Sequence, residues 1–278
     1  MDITTGYASI ANGRIYYEHS KFGTNTNSVI VFIHGNAGDC RHWDSQFNAF
    51  EDQFIVLRYD IRGFGKSSVP VEQKPYSDYE DLATLLDTLN IETVHLVGWS
   101  MGAAIALDFS LAYPDRTSSL ALVTPWVYGY TSATQQQMVK NTMNAASFIA
   151  TGTSEVAAEA WMNACFSNTV VDLLAADRFR TIANDYSFWV FSHPNPQKVL
   201  EPNASERLSE ITAPTLIVTS EHDIPACIEI ADLLDRLIQN SDKKVMDNTG
   251  HLLHIERPEQ VNRYLRDFIQ LNETDPNP

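Results

Sequence analysis

HLVGWSMGAAIALDF, residues 95–109, carries an apolar run into Gly98-Trp99-Ser100-Met101-Gly102 and then continues with the helix-compatible Ala103, Ala104, Ile105 and Ala106. A strand that turns into a helix without a loop forces its turning residue into a strained backbone. That is tolerable only if the residues two before and two after it have no side chain to collide. Gly98 and Gly102 satisfy this condition, so Ser100 is predicted at the turn, with its hydroxyl lifted out at the carboxyl end of a strand. Ala103 and Ala104 are small enough for the helix to lie close against the sheet.

The flanking sequence repeats the strand-then-helix pattern. Short apolar runs at 28–34, 54–60, 93–99, 119–124, 214–220 and 243–248 alternate with helix-period segments near 40–50, 78–89, 101–113, 225–239 and 258–270. Continuous apolar strands separated by helices predict an α/β fold with a mostly parallel central sheet covered on both faces. Asn12-Gly13, inside GYASIANGRIYYEHS, predicts an antiparallel hairpin over residues 7–20. Between about residues 125 and 205 the strand signal stops. QQQMVKNTMNAASFIA and SEVAAEAWMNACF read as helices there, among many aromatic residues. The expected organisation is a core of residues 1–124 and 206–278 with a helical cap at 125–205. The tail NETDPNP is expected to fray.

Composition narrows the partners. With 278 residues and 44% hydrophobic content the chain can bury one large core, and the formal charge of −16 carries no basic run for nucleic acid or an anionic membrane. MDITTGYASI has neither a positive nor an apolar leader segment, and no apolar run is long enough to span a bilayer, so a cytoplasmic location is expected. Cys40, Cys165 and Cys227 are widely spaced and read as reduced, buried thiols. No histidine spacing suggests a metal site and no glycine pattern suggests a nucleotide site, so no cofactor is expected.

A serine hydroxyl needs a base and a carboxylate to orient that base. Among eight histidines, His251 in DNTGHLLHIERPEQV follows a strand and a glycine turn, which places it on the same edge as Ser100; His254 is the alternative, facing the next helix. PTLIVTSEHDIPA leaves another strand at that edge and offers Asp223 as the acid, with Glu221 in reserve. Acyl transfer builds charge on the attacked oxygen, and two backbone N–H groups would receive it. These are Met101, next to the serine, and Asn36 in the loop HGNAGD, with Ala37 as the alternative. His34 is expected to shape that loop. Trp99, Trp126 and Trp189 are candidates for the substrate pocket; Arg178 and Arg180 are read as a solvated helix face.

Taken together, the chain resembles the α/β-hydrolase fold group whose cap-bearing members include esterases, lactonases, perhydrolases and carbon–carbon bond hydrolases. The resemblance rests on His34-Gly35, on YDIRGFGKS at 59–67, on Gly98–Gly102, on Asp223 and on GHLLHIERPEQV, in the group's order of serine, acid and histidine. Ser220 stands where the group often has glycine. The resemblance implies loop-bracing roles for Asp60 and Arg62. A serine nucleophile implies an acyl-enzyme and hydrolysis of a small to medium ester or lactone. Carbon–carbon hydrolysis, cofactor-free perhydrolysis and a slow ligand sensor are alternatives built on the same residues.

Overall fold

A computed structural model describes residues 3–20, 28–166 and 169–273. The hairpin forms first: β1 (Thr4–Ile10) and β2 (Gly13–His19) pair antiparallel around Asn12, whose φ of 61° suits the turn. Then come β3 (Val29–Ile33), α1 (Asp44–Phe50), β4 (Ile55–Tyr59), α2 (Asp78–Thr88), β5 (Val94–Trp99), α3 (Met101–Ala112) and β6 (Thr117–Val123). The strands lie in the order β1-β2-β4-β3-β5-β6, with β7 (Thr215–Ser220) and β8 (Ser241–Met246) completing the sheet. All pairs from β4 to β8 are parallel. Every residue of β3, β4, β5 and β7 is buried, as strands covered on both faces require. β8 begins two residues before the apolar run that predicts it and is half exposed, because it forms the sheet edge.

Between β6 and β7 the chain forms α4 (Ala133–Thr151), α5 (Ser154–Phe166), α6 (Leu173–Ala183) and the single turn α7 (Ala204–Arg207). The core resumes with α8 (Pro225–Leu237), the short α9 (Leu253–Glu256) and α10 (Pro258–Leu271). From residue 274 the tail lies outside the described residues. Among those described, no helix is long and apolar enough to cross a membrane.

Strand order places the site. β3 has β4 on one side and β5 on the other; the connection leaving β3 runs to β4 and the one leaving β5 runs away from it to β6, so the two diverge and open a crevice at the carboxyl ends of β3 and β5. The loop carrying Asn36 follows β3, and Ser100 follows β5.

Candidate active site

β5 ends at Trp99 and α3 begins at Met101, so Ser100 alone makes the turn, at φ 54° and ψ −115°. Such a conformation costs a residue with a side chain on the order of 1–3 kcal/mol, and the surroundings hold it in place. A Cβ on Gly98 would collide with the carbonyl of Gly102, and one on Gly102 with the carbonyls of Ile33 and His34. The Ser100 N–H donates to the Val123 carbonyl at 3.0 Å, and its own carbonyl accepts from Ala103 N–H at 3.0 Å and Trp126 N–H at 3.2 Å. Met101 is the first helical residue, and its N–H belongs to the set that has no acceptor within the helix and sits at the positive end of the helix dipole.

The imidazole and its carboxylate come from the loops after β8 and β7. His251 Nδ1 donates to Asp223 Oδ1 at 2.6 Å, leaving Nε2 as the ring's acceptor. Asp223 Oδ1 also accepts the Ile224 N–H at 2.7 Å, and its other oxygen accepts from Thr219 Oγ1 at 3.4 Å. The His251 backbone is held just as tightly: its N–H donates to the Thr169 carbonyl at 2.6 Å, and its carbonyl accepts from Trp99 Nε1 at 3.0 Å and Thr124 Oγ1 at 3.3 Å. Ser220 uses its hydroxyl to tie the acid strand to the histidine loop, donating to the Gly250 carbonyl at 3.0 Å. Glu256 completes the clasp: one oxygen accepts Val171 N–H at 2.8 Å and Asp172 N–H at 3.4 Å, the other Gly250 N–H at 2.7 Å.

The reserve residues lie elsewhere. Glu221 is exposed and accepts from Asn248 N–H at 3.3 Å. His254 is fully buried between Trp43 and Trp99, with ring centroids 4.7 and 4.8 Å away.

A cavity of about 300 Å³ is lined jointly by Asn36, Trp99, Ser100, Met101, Trp126 and His251. Ala37 N–H is already taken by the Asn36 side-chain oxygen at 2.7 Å, which leaves the Asn36 position to face the cavity. His34 braces this loop: Nε2 accepts Ile61 N–H at 3.0 Å, Nδ1 donates to the Gly35 carbonyl at 2.7 Å, and burial lowers its pKa. Asp60 accepts backbone N–H groups of Cys40 at 2.9 Å and Lys66 at 2.8 Å.

Trp189 does not line this cavity: its ring stacks on His193 at 4.6 Å, and the next residue, Val190, faces the cavity instead. The interleaved position places the ring outward, which composition alone does not reveal. Trp161, from α5, lines the cavity instead, and nothing in the sequence around it sets it apart from the other aromatic residues between 125 and 205. Asp78, Asn195 and Gln197 also line the cavity and carry no motif. Arg178 of α6 pairs with Asp44 of α1, and Arg180 pairs with Asp177 and Glu159.

Asp223, Cys227 and His251 each offer one ligand atom within 4.8 Å of the others. The carboxylate and imidazole are already bonded to each other, and burial pushes the Cys227 thiol well above its ordinary pKa, so it stays protonated. The second such group, Asp39, Cys40 and Asp60, is likewise committed, to Arg41 and to backbone N–H groups.

The family described as alpha/beta hydrolase fold matches residues 28–258. The chain belongs to the alpha/beta hydrolase fold family. This alpha/beta hydrolase is 27% identical to a 3-oxoadipate enol-lactonase of Acinetobacter baylyi, over 89% of the chain and 91% of the relative. It is also 27% identical to a 2-hydroxy-6-oxononadienedioate/2-hydroxy-6-oxononatrienedioate hydrolase of Burkholderia vietnamiensis, over 92% and 91%. Among solved structures, a carboxylesterase from Bacillus subtilis superposes on it with a TM-score of 0.77 at 21% identity, covering 97% of this chain and 92% of that one. At 21% identity this likeness is one of fold, which in this chain is the eight-stranded, mostly parallel sheet.

Proposed function

We propose that this alpha/beta hydrolase is a serine hydrolase of carboxylic esters or lactones. The observation that carries the reading is the Asp223–His251 pair, bonded at 2.6 Å, on one cavity with a serine held at φ 54°. In the proposed reaction Ser100 Oγ attacks the acyl carbon and its proton passes to His251 Nε2. The N–H groups of Met101 and Asn36 receive the developing oxyanion. The alcohol leaves with the proton from His251, and water, deprotonated by the same imidazole, releases the acid and regenerates Ser100. Asp223 keeps the imidazole in the tautomer with Nδ1–H and stabilises its cation. Residues 125–205 serve as the cap, and Trp126 and Trp161 supply apolar surface to the acyl group.

The relatives support hydrolysis of an activated carbonyl. The enol-lactonase favours a lactone or ester, and the dioate hydrolase supports a second reading, cleavage of a carbon–carbon bond beside a ketone by the same residues. The test is covalent labelling with an uncharged fluorophosphonate, peptide mapping of the adduct, and a panel of esters, lactones and diketones. A Ser100 adduct with turnover of esters or lactones is expected. An adduct elsewhere, or turnover of diketones alone, would replace this reading.

A further inference from the structure

The wall of the cavity also contains a carboxyl group that the proposed chemistry does not use. Asp78 opens α2, and it is only 6% exposed although it borders the cavity. Its Oδ2 accepts from Gln197 Nε2 at 2.6 Å, and the same amide reaches the Tyr128 hydroxyl at 3.2 Å. Its Oδ1 has no hydrogen-bond partner among the described residues.

A substrate carboxylate in this wall would need an uncompensated cation, and among the described residues the lining supplies none. Arg62 borders the cavity, but its Nε and Nη2 are each bonded at 2.7 Å to Asp81, and its Nη1 at 2.8 Å to the Ala11 carbonyl. Its face covers the Tyr76 ring at 4.5 Å. Among the described residues, the remaining titratable neighbours of Asp78 are Asp108 of α3, Tyr59 of β4, Tyr76 and Tyr128, none of which adds positive charge. If Asp78 is ionised, an incoming carboxylate meets a like charge; if it is protonated, the two carboxyl groups still leave one negative charge desolvated without a counter-ion.

We propose that Asp78 is a specificity residue, by which the cavity takes esters or lactones whose remote end is uncharged and hydrogen-bonding, such as an amide, and rejects those ending in a carboxylate. This rests on the serine-hydrolase reading for the reaction, though not for the binding preference. A primary amide fits because it can donate to Asp78 Oδ1 and accept from a neighbouring donor, while having the shape of a carboxylate.

The test uses two probes that differ only in that end: the mono-4-nitrophenyl ester of adipic acid and that of adipamic acid. At pH 8.5, kcat/KM of the wild type is expected to favour the amide by at least about 100-fold, the scale of a buried like-charge contact. Burial, reinforced by Asp81, pushes the Asp78 pKa up to about 8. The preference should therefore widen between pH 6 and 8.5. In Asp78→Asn, with folding checked by thermal melting, it should shrink to about tenfold or less and lose its pH dependence. A wild-type preference below tenfold, or an unchanged preference in folded Asp78→Asn, overturns the proposal. If the variant does not fold, the wild-type pH trend decides: a flat ratio overturns it. Two phenyl ketones ending in the same amide and carboxylate groups, titrated by tryptophan fluorescence, separate the two readings. Tighter amide binding without hydrolysis of either ester would remove the hydrolase reading and keep the selection; equal binding would remove the selection.

Discussion

At Ser100 the local chemistry and the backbone make separable demands. Ser100→Ala removes one half-buried hydroxyl and leaves the turn in place, so the variant should melt near the wild type while losing fluorophosphonate labelling altogether. Labelling at the wild-type rate would exclude Ser100. Asp223→Asn tests the tautomer, because a carboxamide can present its NH₂ to the ring and turn the wrong nitrogen toward the serine. Turnover should fall on the order of 10³- to 10⁴-fold, while Glu221→Gln, on an exposed side chain bonded to Asn248, should cost less than about threefold. The reverse ranking would transfer the role of the acid to Glu221. Ser100, Asp223 and His251 were legible because each follows a strand at the same sheet edge, a position that local patterning reports. Asp78 and Gln197 were not: they meet across 119 residues of chain through a bond between the start of α2 and the end of the insertion, and no periodicity links the two. Trp189 shows the same gap, since a tryptophan in an aromatic-rich segment has equal composition whether it faces the cavity or His193.

Among the elements, the β5–α3 junction governs both stability and reactivity. Gly98 pairs with Ile33 on one side and Leu122 on the other, so any shift there moves three strands. The Cβ of Gly102→Ala would press on backbone carbonyls of β3, which cannot rotate away as a side chain would. Destabilisation of about 1–3 kcal/mol is expected, read as a lower midpoint in urea, and labelling of Ser100 should slow even where the variant is fully folded. An unchanged midpoint would mean that helix and strand separate more easily than their contact implies. The strands themselves were readable because apolar runs such as VIVFI and VHLVGW are buried on both faces. The edge strand SDKKVM is less so, since Met246 is its one buried residue.

Over the whole molecule, buried titratable groups set the pH range of stability. Burial lowers the pKa of His42 to about 3 and of His95 to about 4, and lowers those of His34 and His254 as well. Unfolded histidines bind protons below about pH 6.5 and these folded ones do not, so the stability of the neutral imidazoles is lost as pH falls from about 6.5, at up to about 1.4 kcal/mol per pH unit for each. Asp78 and Asp108 act in the opposite sense. Burial raises their pKa values to about 8 and about 6, so they contribute most at low pH, and this contribution is lost as pH rises through those values. Four histidines outweigh the buried acids below pH 6, and between pH 7 and 8, below the range in which the buried thiols matter, the decline belongs to Asp78. Urea melts between pH 5 and 8 should therefore show a maximum near about pH 7, with a decline toward pH 8 that disappears in Asp78→Asn. A decline that persists in that variant would assign it to the net charge of −16 instead. The clasp around His251 acts across the same scale. Thr169, Val171 and Asp172 lie between β6 and β7, yet they hold the backbone of Gly250 and His251 directly and through Glu256. The segment between β6 and β7 and the histidine loop are therefore not independent parts: a chimera that replaces that segment alone gives the imidazole a foreign anchor, and recombination would have to exchange the histidine loop together with the segment that grips it.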